Sequence, residues 1–183
     1  MLKLVTNLTL NQRLALLAFV LGLVAIAATP ARGSRVTVDA RDMAWRAASG
    51  SDRVAARALA DWIIQGRSDF RLVDVRTPTA FAAGPWIPSA ENIPLAALFD
   101  ADLDRGEKIL LVGDDQVTVA QAWLLLEASG YAGASIMDGG LAAWRDQVVN
   151  PRVDGVDAAA RARLEAVSAH FGGSPRTGGG ADA

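Results

Sequence analysis

Four consecutive apolar positions, Ile109 to Val112, break into a polar loop, Gly113 to Val117, and then into a stretch where Ala122, Leu125 and Leu126 fall at helical spacing. That order predicts strand, loop, helix. The same alternation runs on both sides of it. Val54 and Ala55 start a first strand, and Leu59, Trp62 and Ile63 predict a helix that Gly66 stops. Phe70 to Arg76 reads as a strand, placed at the centre of the sheet, and Thr77 to Ala83 as a helical turn opened by Pro78 and ended by Gly84. Ala90 to Ile93 follows as a short strand and Leu95 to Phe99 as a short helix. Ala134 to Met137 is the last strand, and Gly139-Gly140 turns the chain into a helix from Leu141 to Gln147. Strands alternating with helices predict an α/β fold with a parallel sheet covered on both faces.

The flanks have other patterns. Residues 1–31 contain the run Leu14 to Ala28, apolar throughout apart from Gly22. About fifteen helical residues cover roughly 22 Å, which is tight for a roughly 30 Å hydrocarbon core, and Thr29 to Ala31 extend the span. A single-pass signal-anchor is one reading, an N-terminal hydrophobic helix preceding the domain. A cleaved signal peptide is the other: Lys3 and Arg13 form a basic start and Ala25-Ile26-Ala27 a small-residue cleavage pattern. A buried core helix fits worst, because the run has no polar face. The basic flank favours a cytoplasmic N-terminus and a domain facing the periplasm. Residues 32–50 read as a spacer with a short helix, capped by Asp39, carrying Met43, Ala44 and Ala47 and closed by Gly50. Residues 151–173 read as a C-terminal amphipathic helix, capped by Asp157, with Ala160, Leu164, Val167 and Phe171 in one stripe. The glycine-rich residues 174–183 read as a disordered tail.

Composition narrows the chemistry. With 183 residues, 51% of them hydrophobic, the chain can bury one core. A net charge of −2 offers no reason to expect nucleic-acid binding. The chain has no cysteine, which excludes disulfides, thiolate metal sites and cysteine nucleophiles. His170, the one histidine, stands near the end of the last helix with no carboxylate or second histidine beside it. No metal or other cofactor is expected.

Three blocks carry a resemblance: LVDVRTPTAFAAGPWIPSAENIPL at Leu72 to Leu95, ILLVGDDQVTVAQAWLLLEASGY at Ile109 to Tyr131, and MDGGLAAW at Met137 to Trp144. In this order and spacing they resemble the rhodanese-like domain family, whose active members hold a cysteine persulfide in the loop of the middle block. The resemblance implies a rhodanese-like domain over residues 51–150. Aligned backwards from Gly130 and Tyr131, it sets Gly113 at the position of the family's catalytic cysteine. It further implies that Asp74 and Arg76 brace the loops around the site, and that Trp144 packs the last helix on the core. Pro85 and Trp86 stand where the family has one histidine, which makes Trp86 a candidate for the pocket rim, and Ser89 replaces a commoner glycine.

The loop Gly113, Asp114, Asp115, Gln116, Val117 and Thr118 is therefore the candidate ligand-binding segment, without a catalytic residue. An aspartate nucleophile would need a phosphate substrate, Mg²⁺ and a cationic clamp, and the loop has no Lys or Arg. Thr118 has no general base. One aspartate is expected to cap the following helix; the pair together also suits a cation, an amine or a basic peptide. The leading expectation is a non-catalytic rhodanese-like domain, an inactive homologue of thiosulfate sulfurtransferase, serving as a membrane-tethered binding or assembly module in an envelope complex. The alternative is a sulfurtransferase that depends on a partner's cysteine.

Overall fold

The computed structural model of the chain describes residues 40–178. The apolar run Leu14 to Ala28, Asp39 and residues 179–183 lie outside them. Among the described residues, no helix is long and apolar enough to cross a membrane.

Five short parallel strands form one sheet: β1 (Arg53–Val54), β2 (Arg71–Asp74), β3 (Glu91–Asn92), β4 (Ile109–Val112) and β5 (Ala134–Met137), in the spatial order β1-β5-β4-β2-β3. The middle place belongs to β4, not to the Phe70 to Arg76 segment, whose strand lies one position in from the edge. The reason is in the run itself: all four β4 residues are buried, as a strand covered on both sides and both faces demands.

The pleat sorts the core into two halves. Ile109 and Leu111 of β4, with Val73, Val75 and Ile136, pack against Val119, Ala122, Trp123 and Leu126. Leu110 and Val112, with Leu72 and Met137, face the other way onto Ala56, Leu59, Leu141 and Trp144. The helices are α1 (Ala40–Ser49), α2 (Ala56–Ile64), α3 (Pro78–Ala82), α4 (Gln116–Ala128), α5 (Gly140–Trp144) and α6 (Ala158–His170), with a 3₁₀ turn at Leu95–Ala97 and a π-helical turn at Arg145–Val149. The glycines expected to end or turn segments do so: Gly50, Gly66, Gly84 and Gly139 all have φ between 66° and 71°.

Both flanks are tied to the domain. Helix α1, expected as a spacer, is pinned by Arg46, whose guanidinium donates to both carboxylate oxygens of Glu127 at the far end of α4, Nη1 to Oε1 at 2.9 Å. The Glu127 hydrogen bond, against the opposing effect of burial, raises the Arg46 pKa above its already high ordinary value. At the other end, Trp144 meets Phe171 edge-on with ring centroids 4.9 Å apart, and Val167 and Phe171 pack onto the α2 side of the core. The narrow stripe of α6 thus docks on its own domain. Residues 174–178 are also held: Arg176 N donates to Pro151 O at 2.8 Å, Val153 N donates to Arg176 O at 3.0 Å, and Arg176 Nε donates to Asn150 O at 2.8 Å. The glycine-rich composition from which disorder is read says nothing of this pairing, made through the backbone and one arginine.

Phe171 is only half-buried. Phe171→Ala is therefore expected to lower stability by about 2 kcal/mol, below the range for a fully buried aromatic. A denaturation curve that does not move would mean that α6 is not held by this contact.

Candidate functional site

Strands β2 and β4 run side by side with Asp74 opposite Val112, so the loops that leave their carboxyl ends emerge together. This is where a parallel sheet places its ligands. Val75 N donates to Val112 O at 3.0 Å and keeps the two exits in contact.

The β2 exit is braced by charge. Asp74 and Arg76 are both buried, with 0% and 4% of their side chains exposed. Arg76 donates to Asp74 from its backbone N at 3.0 Å, from Nε at 3.0 Å and from Nη2 at 2.7 Å. The same guanidinium donates to Pro85 O at 2.9 Å and reaches Ala80 O at 3.4 Å, tying α3 and the following loop to the strand. Asn92 completes the brace, its Nδ2 donating to the carbonyls of Asp74 and Arg76 at 3.0 and 2.9 Å. Asp74 and Arg76, for which the resemblance implies loop bracing, thus stand in one bonded network with the carbonyls of Ala80 and Pro85. Asn92, not singled out by the sequence reading, shares it; a polar residue ending a short strand is the only signal it leaves. With its carboxylate partner in place, Arg76 brings no uncompensated positive charge to the site.

The β4 exit has closed. Gly113 is buried, and its carbonyl accepts from Leu141 N at 3.0 Å. A β-carbon built on Gly113 would stand 2.9 Å from Val119 Cγ2 and 3.5 Å from Val75 Cγ2. At the first of these separations something has to shift, and a valine is stiff about χ1. At the first position of α5, Gly140 (φ 56°) presses against the same loop; a β-carbon there would lie 2.5 Å from Gln116 Nε2 and 2.6 Å from Gly113 O. Val119 is a position the sequence reading passed over, because an apolar residue at the first turn of a core helix carries no other mark.

The two aspartates have different jobs. Asp115 caps α4: it accepts from Val117 N at 3.0 Å, Thr118 N at 3.1 Å and Thr118 Oγ1 at 2.6 Å. The Thr118 hydroxyl, followed by the Val117 and Thr118 N–H groups, holds the Asp115 carboxyl below the usual carboxylate range. Asp114 is exposed and has no hydrogen bond or ion pair with the described residues. It lines a cleft of about 490 Å³ with Thr118, Val75, Arg76, Thr77, Ala80, Pro94, Leu95 and Ala96. Of the expected loop residues, only Asp114 and Thr118 face this cleft. Gln116 and Val117 lie instead along a shallow groove with Ala120, Gln121 and Leu124 on the outer side of α4, where Val117 is 65% exposed. Trp86 is not on the cleft wall; it is exposed beside Phe81, ring centroids 6.3 Å apart. Among the described residues, no group of three or more His, Asp or Glu side chains could hold a metal ion.

Similar solved structures include the human single-domain sulfurtransferase TSTD1, 27% identical over 52% of this chain and 96% of that one, with a TM-score of 0.45. The Alr3790 protein of an Anabaena species is 28% identical over 50% of this chain and 84% of its own, with a TM-score of 0.47. A rhodanese-like domain protein of Staphylococcus aureus is 28% identical over 52% and 92%, with a TM-score of 0.46. No curated protein matches the chain. The sequence model of the rhodanese-like domain matches residues 55–147, a span that takes in strands β2 to β5 and the loops that leave β2 and β4, and the chain belongs to the rhodanese-like domain family.

Proposed function

We propose that this protein is a non-catalytic rhodanese-like domain that binds a partner protein at the former substrate cleft. The observation that carries this reading is the packing at Gly113: in a chain without cysteine, Val119 takes the space that a side chain at that position would need. The unpartnered Asp114 carboxylate and the uncovered groove of Gln116, Val117, Ala120, Gln121 and Leu124 adjoin one another across the start of α4. Helix α4 is apolar nearly all round, and such a helix is ordinarily covered. A basic, partly apolar segment of a partner suits both features, its cation at Asp114 and its apolar side chains along Val117 and Leu124. We further propose that the Leu14 to Ala28 run tethers the domain to a membrane, facing the periplasm, within an envelope complex; a secreted periplasmic product after signal cleavage is the alternative.

Full-length chain extracted in detergent and captured by affinity is expected to bring down a discrete partner, and Asp114→Arg combined with Val117→Asp to lose it. Both positions are exposed, so the domain itself should still fold. Undiminished capture by the double variant would remove the cleft from the interface. Thiocyanate production from thiosulfate and cyanide by the pure chain would overturn the non-catalytic reading, and production only after a partner is added would favour a sulfurtransferase working through that partner's cysteine. Retention in membranes through alkaline carbonate washing tests the tether, and a soluble product beginning near Ala28 would replace it with signal cleavage.

A further inference from the structure

A second cleft, of about 350 Å³, lies between α2, the π-helical turn and α6, and it shares no residue with the first. Its origin is the way α6 docks. Val167 and Phe171 at the end of the stripe seat on the core, whereas Leu164 and Ala160, one and two turns earlier, stand clear of it and form a floor with Val156. All of the apolar lining residues are half-buried.

Three guanidiniums line this space: Arg57 of α2, Arg152 of the segment before α6, and Arg163 of α6. Asp61 is the only carboxylate among the lining residues, and Arg163 already engages it, Nη2 to Oδ2 at 2.9 Å and to Oδ1 at 3.2 Å. The side chains of Arg57 and Arg152 make no hydrogen bond or ion pair with any described residue. Two positive charges therefore stand uncompensated beside an apolar floor, in a protein whose net charge is −2. The volume lies within the span of small-molecule sites, about 300 to 1,000 Å³. A guanidinium offers a planar fork that matches a carboxylate, and the low-dielectric floor strengthens the attraction.

We infer that this cleft binds a small amphiphilic carboxylate, its anionic end between Arg57 and Arg152 and its apolar body along Val156, Ala160 and Leu164. Six of the nine lining residues, from Arg152 to Val167, lie beyond the span matched by the family model, so most of the site comes from the C-terminal segment outside the family core.

The test is calorimetric titration of the full chain with octanoate, with octylamine and acetate as probes of reversed charge and of missing apolar body. Octanoate is expected to bind one to one, and the other two not to bind. Arg57→Met with Arg152→Met, which keeps the apolar stems, should weaken octanoate binding by about tenfold or more, the loss of charge-assisted hydrogen bonds. Asp61→Asn should tighten it by releasing Arg163. With the unaltered protein, raising salt from about 50 to about 500 mM should weaken binding several-fold. Both arginines are exposed, so the paired variant is expected to melt with the parent; if it does not, the salt series and the Asp61→Asn variant still decide. No octanoate binding, equal binding of octylamine, or binding indifferent to salt and to these substitutions would overturn the inference.

Discussion

Asp74→Ala is expected to destabilise the domain by about 3 to 5 kcal/mol, the cost of leaving one member of a buried ion pair behind. The substitution removes the acceptor of four contacts from Arg76, one from its backbone and three from its guanidinium, while that guanidinium remains buried. The carbonyls of Ala80 and Pro85 stay within its reach but carry no compensating charge. Arg76→Met should cost a similar amount, because it strands the carboxylate of Asp74 instead. Thermal or denaturant unfolding measures both. A loss below about 1 kcal/mol in either would mean that water reaches the pair and that it does not brace the two loops.

Gly113→Cys alone is expected to give no thiosulfate–cyanide turnover above background. Three separate obstacles stand in the way. The new β-carbon meets Val119 Cγ2. The N–H groups of Val117 and Thr118, which could steady a persulfide anion at the start of α4, already serve Asp115. Asp114, adjacent in the chain and without a partner, raises the thiol pKa; one unit, about 1.4 kcal/mol of like-charge repulsion, takes an ordinary thiol near 8.5 to about 9.5 and leaves about 0.3% as thiolate at about pH 7. Gly113→Cys with Val119→Ala, Asp114→Asn and Asp115→Asn relieves the packing and the charge while retaining an amide cap for α4. It is expected to exceed the single variant by about tenfold or more in rate, a gap that narrows at high salt as screening weakens the aspartates. Thiocyanate formation across a salt series, with thiol pKa read from alkylation rates, checks both halves. Equal rates in the two variants would mean that neither packing nor charge keeps this loop inactive.

Local patterns carried much of this. The apolar run Ile109–Val112, an aspartate cap before α4, and the stops at Gly66 and Gly84 all act within a few residues of themselves and could be read where they stand, although only the geometry selects Asp115 over Asp114 as the cap. Asp74 and Arg76 are singled out through the family resemblance, and the structure adds that they bond to each other. What escaped depends on distance in the chain. Glu127 reads as a polar position on a helix; it is buried because Arg46 comes from 81 residues away to meet it. Val119 reads as ordinary core, and only the fold brings its methyl group to the space beside Gly113. Arg57, Arg152 and Arg163 look like scattered surface charge until α6 seats on the domain and faces them across one cleft. Trp86 illustrates the opposite error, a residue assigned to the rim by alignment that the loop geometry turns toward Phe81 instead.

The clasp between Arg46 and Glu127 has a mechanical meaning. Were the chain ahead of α1 fixed at a membrane, a pull arriving through α1 would reach the domain first at the end of α4 that carries Glu127, ahead of β1. Helix α4 is about 20 Å long, and its opposite end is the Asp114–Asp115 loop beside the cleft. A stiff strut would then join the anchorage at one end to the binding loop at the other, so that tension on the tether and occupancy of the cleft load the same element from its two ends.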